Sequence, residues 1–224
     1  MAITEAAAHY LTRVLRISAG QTIVLFNGDG HDYVADVIRP GKKEVVLSIA
    51  SRLPATGESE LDITVVQAIS RGERMDQTLQ KCTELGTRAF QPLFTERVEV
   101  RLRPERQEKR MAHWQAVVVS ACEQSGRAVV PEVRRPMEFG EWLYRPEPGF
   151  RLVLAPGADD SLAEIQLQSP LELAIGPEGG FNEIELGLMD NQSVKRVSLG
   201  PRVLRTETAG PAAVAVMQAM AGDF

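Results

Sequence analysis

The chain has 224 residues, 44% hydrophobic and 25% charged, with a formal net charge of −5. This composition supports a packed core and excludes a disordered chain, and the acidic balance excludes blanket electrostatic binding to nucleic acid. The two cysteines, Cys82 and Cys122, lack CxxC spacing, so neither a disulfide framework nor a metal site is expected, and a reducing cytoplasm fits. No apolar run approaches the roughly 20 residues needed to span a bilayer, so no membrane partner is expected. The opening residues lack the basic-then-apolar order of a secretory signal.

Ala6–Arg16 has helical spacing. Gln21–Phe26, His31–Ile38 and Glu44–Ala50 then read as three antiparallel strands closing as a small barrel. Gly28 and Gly30 are turn residues of the first hairpin rather than a phosphate loop. Leu53–Ser59, with Pro54 and Gly57, is the best linker candidate. Beyond it, strand and helix patterns alternate. Leu61–Ile69 is a strand buried on both faces, and Glu73–Leu85 is a helix with Met75, Leu79, Cys82 and Leu85 on one side. Arg88–Phe94 is a further strand, and Pro104 opens a long helix to about Ser125. Arg151–Ala155, Leu171–Ile175 and Val194–Leu199 are short strands, each ending at a Gly or Pro cluster. Asn182–Glu185 has the form of a capping box, and a last helix covers Thr208–Met220. The alternation predicts an α/β domain with a parallel sheet and helices on both faces. The domains are expected at 1–56 and 57–224. Trp114, Trp142 and both cysteines are expected in the core.

Charge is uneven. Residues 71–110 hold ten Lys/Arg against seven Asp/Glu, whereas residues 136–195 hold three against eleven. A basic face beside an acidic lobe is one reading, and a solvated charged surface is the other.

Three loops follow the C-terminal strands: Ala155–Gly157, Gly176–Phe181, and Gly200–Arg202 continuing to Thr208. Open α/β sheets bind ligands at the carboxyl ends of their strands. Glycine admits close backbone approach and proline stiffens the loop. The glycines at 176, 179 and 180 match neither GxGxxG nor a Walker loop, which counts against a nucleotide-binding dehydrogenase. From spacing alone the three loops form one pocket or are merely tight strand-to-helix turns.

Ile175-Gly-Pro-Glu-Gly-Gly-Phe-Asn182-x-x-Glu185 and Leu199-Gly-Pro-Arg-Val-Leu-Arg-Thr-Glu-Thr-Ala209 resemble the signature loops of the RsmE family of small-subunit ribosomal RNA methyltransferases. Further matches are Glu73–Asp76, Lys81-x-x-Glu84-Leu85-Gly86, Thr95–Arg97, Glu123–Arg127, His9–Arg16 and Phe26–Gly30, in family order along nearly the whole chain. The chain starts closer to His9 than family members do, so the expectation is either that the barrel lacks a strand or that the chain start is misassigned.

The resemblance implies a PUA-like barrel followed by a SPOUT domain with a C-terminal trefoil knot. It also implies S-adenosylmethionine as cofactor, a homodimer, and N3-methylation of uracil in 16S ribosomal RNA or the small ribosomal subunit. The cofactor would be held by Leu154, Ile175, Gly176, Pro177, Glu178, Gly180, Leu199, Gly200, Leu204, Thr208 and Ala209. Arg205 would stabilise the uracil anion, with Glu207 or Glu178 accepting the N3 proton; the alternative is an Arg205–Glu207 ion pair that braces the loop. Arg13, Arg16, Arg97, Arg101, Arg103 and Arg202 would contact RNA. Glu123–Arg127 would serve a partner subunit's site, and the last helix packs either within its own domain or against that subunit. A SPOUT enzyme acting on another RNA, and a non-catalytic RNA-binding assembly factor, are the competing functional readings.

Overall fold

The computed structural model describes residues 1–99, 104–146 and 149–224, with the side chains of Glu5, Ala6, Pro104 and Glu105 left aside. It divides into two compact units, residues 1–58 with 126–129, and residues 59–125 with 130–224.

The first unit is a four-stranded antiparallel sheet with order β1–β4–β3–β2: β1 Ala2–Thr4, β2 Thr22–Leu25, β3 His31–Arg39 and β4 Glu44–Pro54. Helix α1 (Glu5–His9) continues as a π-helical turn over Tyr10–Val14. Alternation drives this sheet: Ala35, Val37, Val45 and Leu47 point inward and pack against Ala8 and Leu11. The expected third strand runs four residues further, because Pro54 sits at its end opposite His31. A proline there has no ladder N–H to lose, so the linker begins only after it. Strand β1 pairs with Glu44–Val46 and was not legible in the sequence. The stretch 126–129 belongs to this unit. Arg127, 3% exposed, donates to Glu58 across 2.7 Å, and the Val129 N–H bonds the other Glu58 oxygen at 3.0 Å.

The second unit holds a parallel sheet with order β11–β9–β10–β5–β6–β7, and β8 also pairs with β6. Its strands are β5 Ile63–Ala68, β6 Ala89–Phe94, β7 Glu132–Val133, β8 Met137–Glu138, β9 Phe150–Leu154, β10 Leu171–Ile175 and β11 Lys195–Val197. The helices are α2 Glu73–Glu84, α3 Pro104–Ser125, α4 Phe139–Tyr144, α5 Glu183–Asn191 and α6 Thr206–Ala221. Strands β5 and β10 are buried throughout, as an apolar run covered on both faces must be. Their side chains alternate between two layers. Val66 and Ala174 join Trp142 of α4 and Met189 of α5 in one cluster. Ile175, one residue on, meets α6 at Gly210, beside Thr78 and Cys82 of α2. Trp114, Trp142, Cys82 and Cys122 are all buried. Trp142 satisfies its indole N–H on Glu172 at 3.0 Å, and Arg145 pairs with the same carboxylate. Among the described residues no helix is long and apolar enough to cross a membrane.

Candidate active site

Neighbouring parallel strands end on the same side, so the loops after β9, β10 and β11 emerge together. They line a cleft of about 590 Å³, within the roughly 300–1,000 Å³ of small-molecule sites. The cleft collects Leu154, Ile175, Gly176, Pro177, Glu178, Gly180, Leu199, Gly200, Leu204 and Ala209, together with Arg202, Arg205 and Glu207. Thr208 is outside this lining. It lies in the first turn of α6 with its side chain exposed, and its N–H returns to the Arg205 carbonyl at 2.9 Å.

The loop after β10 is tight. A Cβ on Gly176 would stand 3.0 Å from the Phe181 nitrogen and 3.1 Å from the Gly180 Cα, so a larger residue would have to push the loop backbone aside. The loop feeds α5 through the predicted capping box: Asn182 Oδ1 accepts from the Glu185 N–H at 2.7 Å, and Glu185 Oε2 accepts from the Asn182 N–H at 2.9 Å. Asn182 Nδ2 also donates to Glu96 at 2.6 Å. Arg97 braces the loop by donating to the Gly179 carbonyl at 2.7 Å.

The two carboxylates differ in surroundings. Glu178 Oε1 accepts from the Arg71 N–H at 3.0 Å and from the Arg74 guanidinium at 2.8 Å. Burial alone would push the Glu178 carboxyl up. The Arg71 and Glu178 backbone N–H groups and Arg74 outweigh it and hold the carboxyl below its ordinary range. Glu207 is 14% exposed and lies 3.7 Å from Arg74, and its Oε2 has no hydrogen-bond partner among the described residues. Arg205 occupies the N-cap position of α6 without a side-chain capping bond, and it pairs with neither carboxylate among the described residues. The bracing Arg205–Glu207 pair considered from sequence is therefore not formed; Arg74 does the bracing.

Arg74 joins the cleft although the sequence pattern does not single it out: it stands at the start of α2, just beyond the carboxyl end of β5, and only the pairing of β5 with β10 brings it to Glu178. Arg13 and Arg16 are exposed in the first unit. Arg101 and Arg103 lie outside the described residues. The Glu123–Arg127 stretch ends in the buried Arg127–Glu58 pair of the first unit, so its arginine is committed to structure. No cluster among the described residues could hold a metal ion.

Residues 57–218 match the RNA methyltransferase domain family, and residues 3–50 match the RNA methyltransferase PUA domain. The ribosomal RNA small subunit methyltransferase E of Buchnera aphidicola (subspecies Schizaphis graminum) is 30% identical over 100% of this chain and 92% of its own length. The Synechocystis protein of the same name is 32% identical over 97% of this chain and 72% of its own. Among solved structures, the same enzyme from Neisseria gonorrhoeae, bound to S-adenosyl methionine, superposes with a TM-score of 0.94 at 38% identity, covering 100% of this chain and 93% of that one. A candidate methyltransferase from Legionella pneumophila, solved with bound cofactor SAM, gives a TM-score of 0.95 at 40% identity, with the same two coverages. A two-unit chain with a three-loop cleft at its parallel strand ends, matched over 97–100% of its length by these proteins, belongs to the ribosomal RNA small subunit methyltransferase E family.

Proposed function

We propose that this chain methylates N3 of a uracil in 16S ribosomal RNA, using S-adenosylmethionine held in the cleft between the loops after β9, β10 and β11. The observation that carries this reading is the convergence of those loops on one cleft. The residues present fit the cofactor. Leu154, Ile175, Leu199 and Leu204 offer apolar walls to an adenine. Backbone around Gly176, Gly180 and Gly200 offers hydrogen-bonding groups with no side chain in the way. The unpartnered Oε2 of Glu207 offers a buried acceptor. Bound there, the cofactor supplies an electrophilic methyl group, and the protein supplies position and electrostatics.

Uracil N3 carries a proton that must leave before the nitrogen can attack. Glu207 is the better acceptor of the two carboxylates, because one of its oxygens is uncommitted while Glu178 is held charged by three donors. Arg205, an exposed cation at the start of α6, stabilises negative charge on the uracil carbonyls. Holding the nucleophile in line contributes on the order of 7–11 kcal/mol of the barrier. N3 lies on the pairing edge, so the base is presented unpaired or flipped out. Arg13, Arg16, Arg97 and Arg202, with Arg101 and Arg103, take phosphate contacts. The protein acts in the cytoplasm as a homodimer through α6, with its C-terminal chain threaded as a trefoil knot. In support of that threading, the chain leaves β11 at the sheet edge and returns to pack α6 beside α2, against the central strand β10.

Mapping modified nucleosides by mass in 16S RNA, with and without the gene, tests the substrate. Loss of a single N3-methyluridine is expected, and an unchanged pattern overturns the assignment. Arg205→Ala is expected to abolish most turnover while leaving cofactor affinity, measured by calorimetry, nearly unchanged.

A further inference from the structure

One fully buried polar side chain interrupts the apolar run of β5. Gln67 is 0% exposed and sits opposite Ile175 in the parallel register of β5 and β10. Its amide nitrogen donates to the Ala68 carbonyl at 2.9 Å and to Thr206 Oγ1 at 2.9 Å. Thr206 Oγ1 donates in turn to the Gly176 carbonyl at 3.0 Å.

The direction of this relay is fixed. The Ala68 carbonyl can only accept, so the Gln67 amide must present its NH₂ there, and its second hydrogen then points to Thr206. Thr206 therefore accepts from Gln67, and its single proton goes to Gly176. The relay links the end of β5, the loop after β10 and the first residue of α6. Thr206 stands between Arg205 and Glu207, and Gly176 opens the tightest loop of the cleft.

We infer that Gln67 is a positioning residue: through Thr206 it sets the Gly176 loop and the Arg205–Glu207 segment in one fixed geometry. This rests on the reading of the cleft as the cofactor site. A glutamine at this place, in a strand whose other buried polar residue is the much smaller Thr64, costs burial of an amide whose Oε1 has no hydrogen-bond partner among the described residues. An apolar residue would fill the space without that cost, so the cost points to a role beyond packing.

The test uses the full chain and compares Thr206→Val, Thr206→Ser, Gln67→Met and the double variant Gln67→Met/Thr206→Val. Cofactor affinity, kcat at saturating cofactor and thermal midpoint are read for each. Thr206→Val keeps the shape and removes the relay, and kcat is expected to fall about tenfold or more. Thr206→Ser restores the hydroxyl and is expected to stay within about threefold of the parent. Gln67→Met is expected to lower kcat less than Thr206→Val does, and the double variant to be no worse than Thr206→Val alone, since both changes cut one chain. Thermal midpoints that fall while kcat stays at the parent value overturn the inference, as does additive loss in the double variant. If Thr206→Val fails to fold, Gln67→Met against Thr206→Ser decides: kcat lowered in the first and kept in the second supports the relay, and equal kcat overturns it. A parent chain that takes up no S-adenosylmethionine at all overturns the underlying reading instead.

Discussion

Arg74 donates to Glu178 across 2.8 Å, tying the first turn of α2 to the loop after β10. The pairing raises the Arg74 guanidinium above its ordinary value and helps hold Glu178 below its own. Glu178 is thus charged in the folded state over a wider range than in the unfolded chain. Its contribution to stability is present above the ordinary value of 4.5 and is lost as pH falls through the lower folded value. Replacing Arg74 with Met moves the folded value back up. The thermal midpoint of Arg74→Met is therefore expected to fall less steeply than the parent's between about pH 5 and pH 3. Parallel curves would remove Arg74 from the account of Glu178.

The two carboxylates are expected to separate kinetically. Glu207→Gln should lower kcat by about 10²–10⁴ if this group accepts the uracil proton. Glu178→Gln should act mainly on cofactor affinity, because it leaves the Arg71 N–H contact in place and weakens only the charged pair with Arg74. Single-turnover methyl transfer, with calorimetry on the same preparations, distinguishes them. Equal loss of kcat in both variants would contradict the assignment of the acceptor to Glu207.

Gly210 packs tightly between α6 and its neighbours. A Cβ there would lie 3.0 Å from Ile175 Cδ1, 3.2 Å from Thr78 Cγ2 and 3.4 Å from Cys82 Sγ. Gly210→Val is expected to destabilise by about 1–3 kcal/mol through overpacking. It should also weaken cofactor uptake, since Ile175 is a wall of the cleft. Gly210→Ala should come out near neutral, because a gain in helix propensity of about 1 kcal/mol offsets the crowding. Denaturant titration gives both values.

Asn182 is the N-cap of α5, yet aspartate is predicted to fail in its place. Asn182→Ala loses the cap and costs about 1–2 kcal/mol. Asn182→Asp keeps the acceptor for the Glu185 N–H but replaces the donor to Glu96, now at 2.6 Å, with a second negative charge. At neutral pH it should be at least as unstable as the alanine variant and should recover on mild acidification, as protonation relieves the repulsion. An aspartate variant as stable as the parent at pH 7 would show that the Glu96 contact contributes nothing.

What the sequence disclosed depended on how much burial each residue type reports. Strands β5 and β10 were readable because both faces are covered and most of their residues are apolar. Helix α2 was readable because Met75, Leu79 and Cys82 recur at helical spacing and are buried. The loops of the cleft were readable from Gly and Pro at strand ends. Strands β7 and β8, two residues each, and the three-residue β1 are too short to carry a period. Pro54 read as a linker because proline normally ends a ladder, whereas here it closes one from its end. Arg74 and Gln67 were illegible as site residues because their roles depend on β5 lying beside β10. Those strands are far apart in sequence, and local pattern does not report the adjacency.

The return of residues 126–129 to the first unit makes the chain pass between its two units three times, after residues 58, 125 and 129. No single cut separates them. A fragment starting at Ser59 would retain Arg127 without the carboxylate that neutralises it, and a fragment ending at Glu58 would retain that carboxylate without its cation. The RNA methyltransferase PUA module of this protein is thus not a bead that can be clipped off or grafted elsewhere, and transplanting it requires carrying the four-residue stretch across with it.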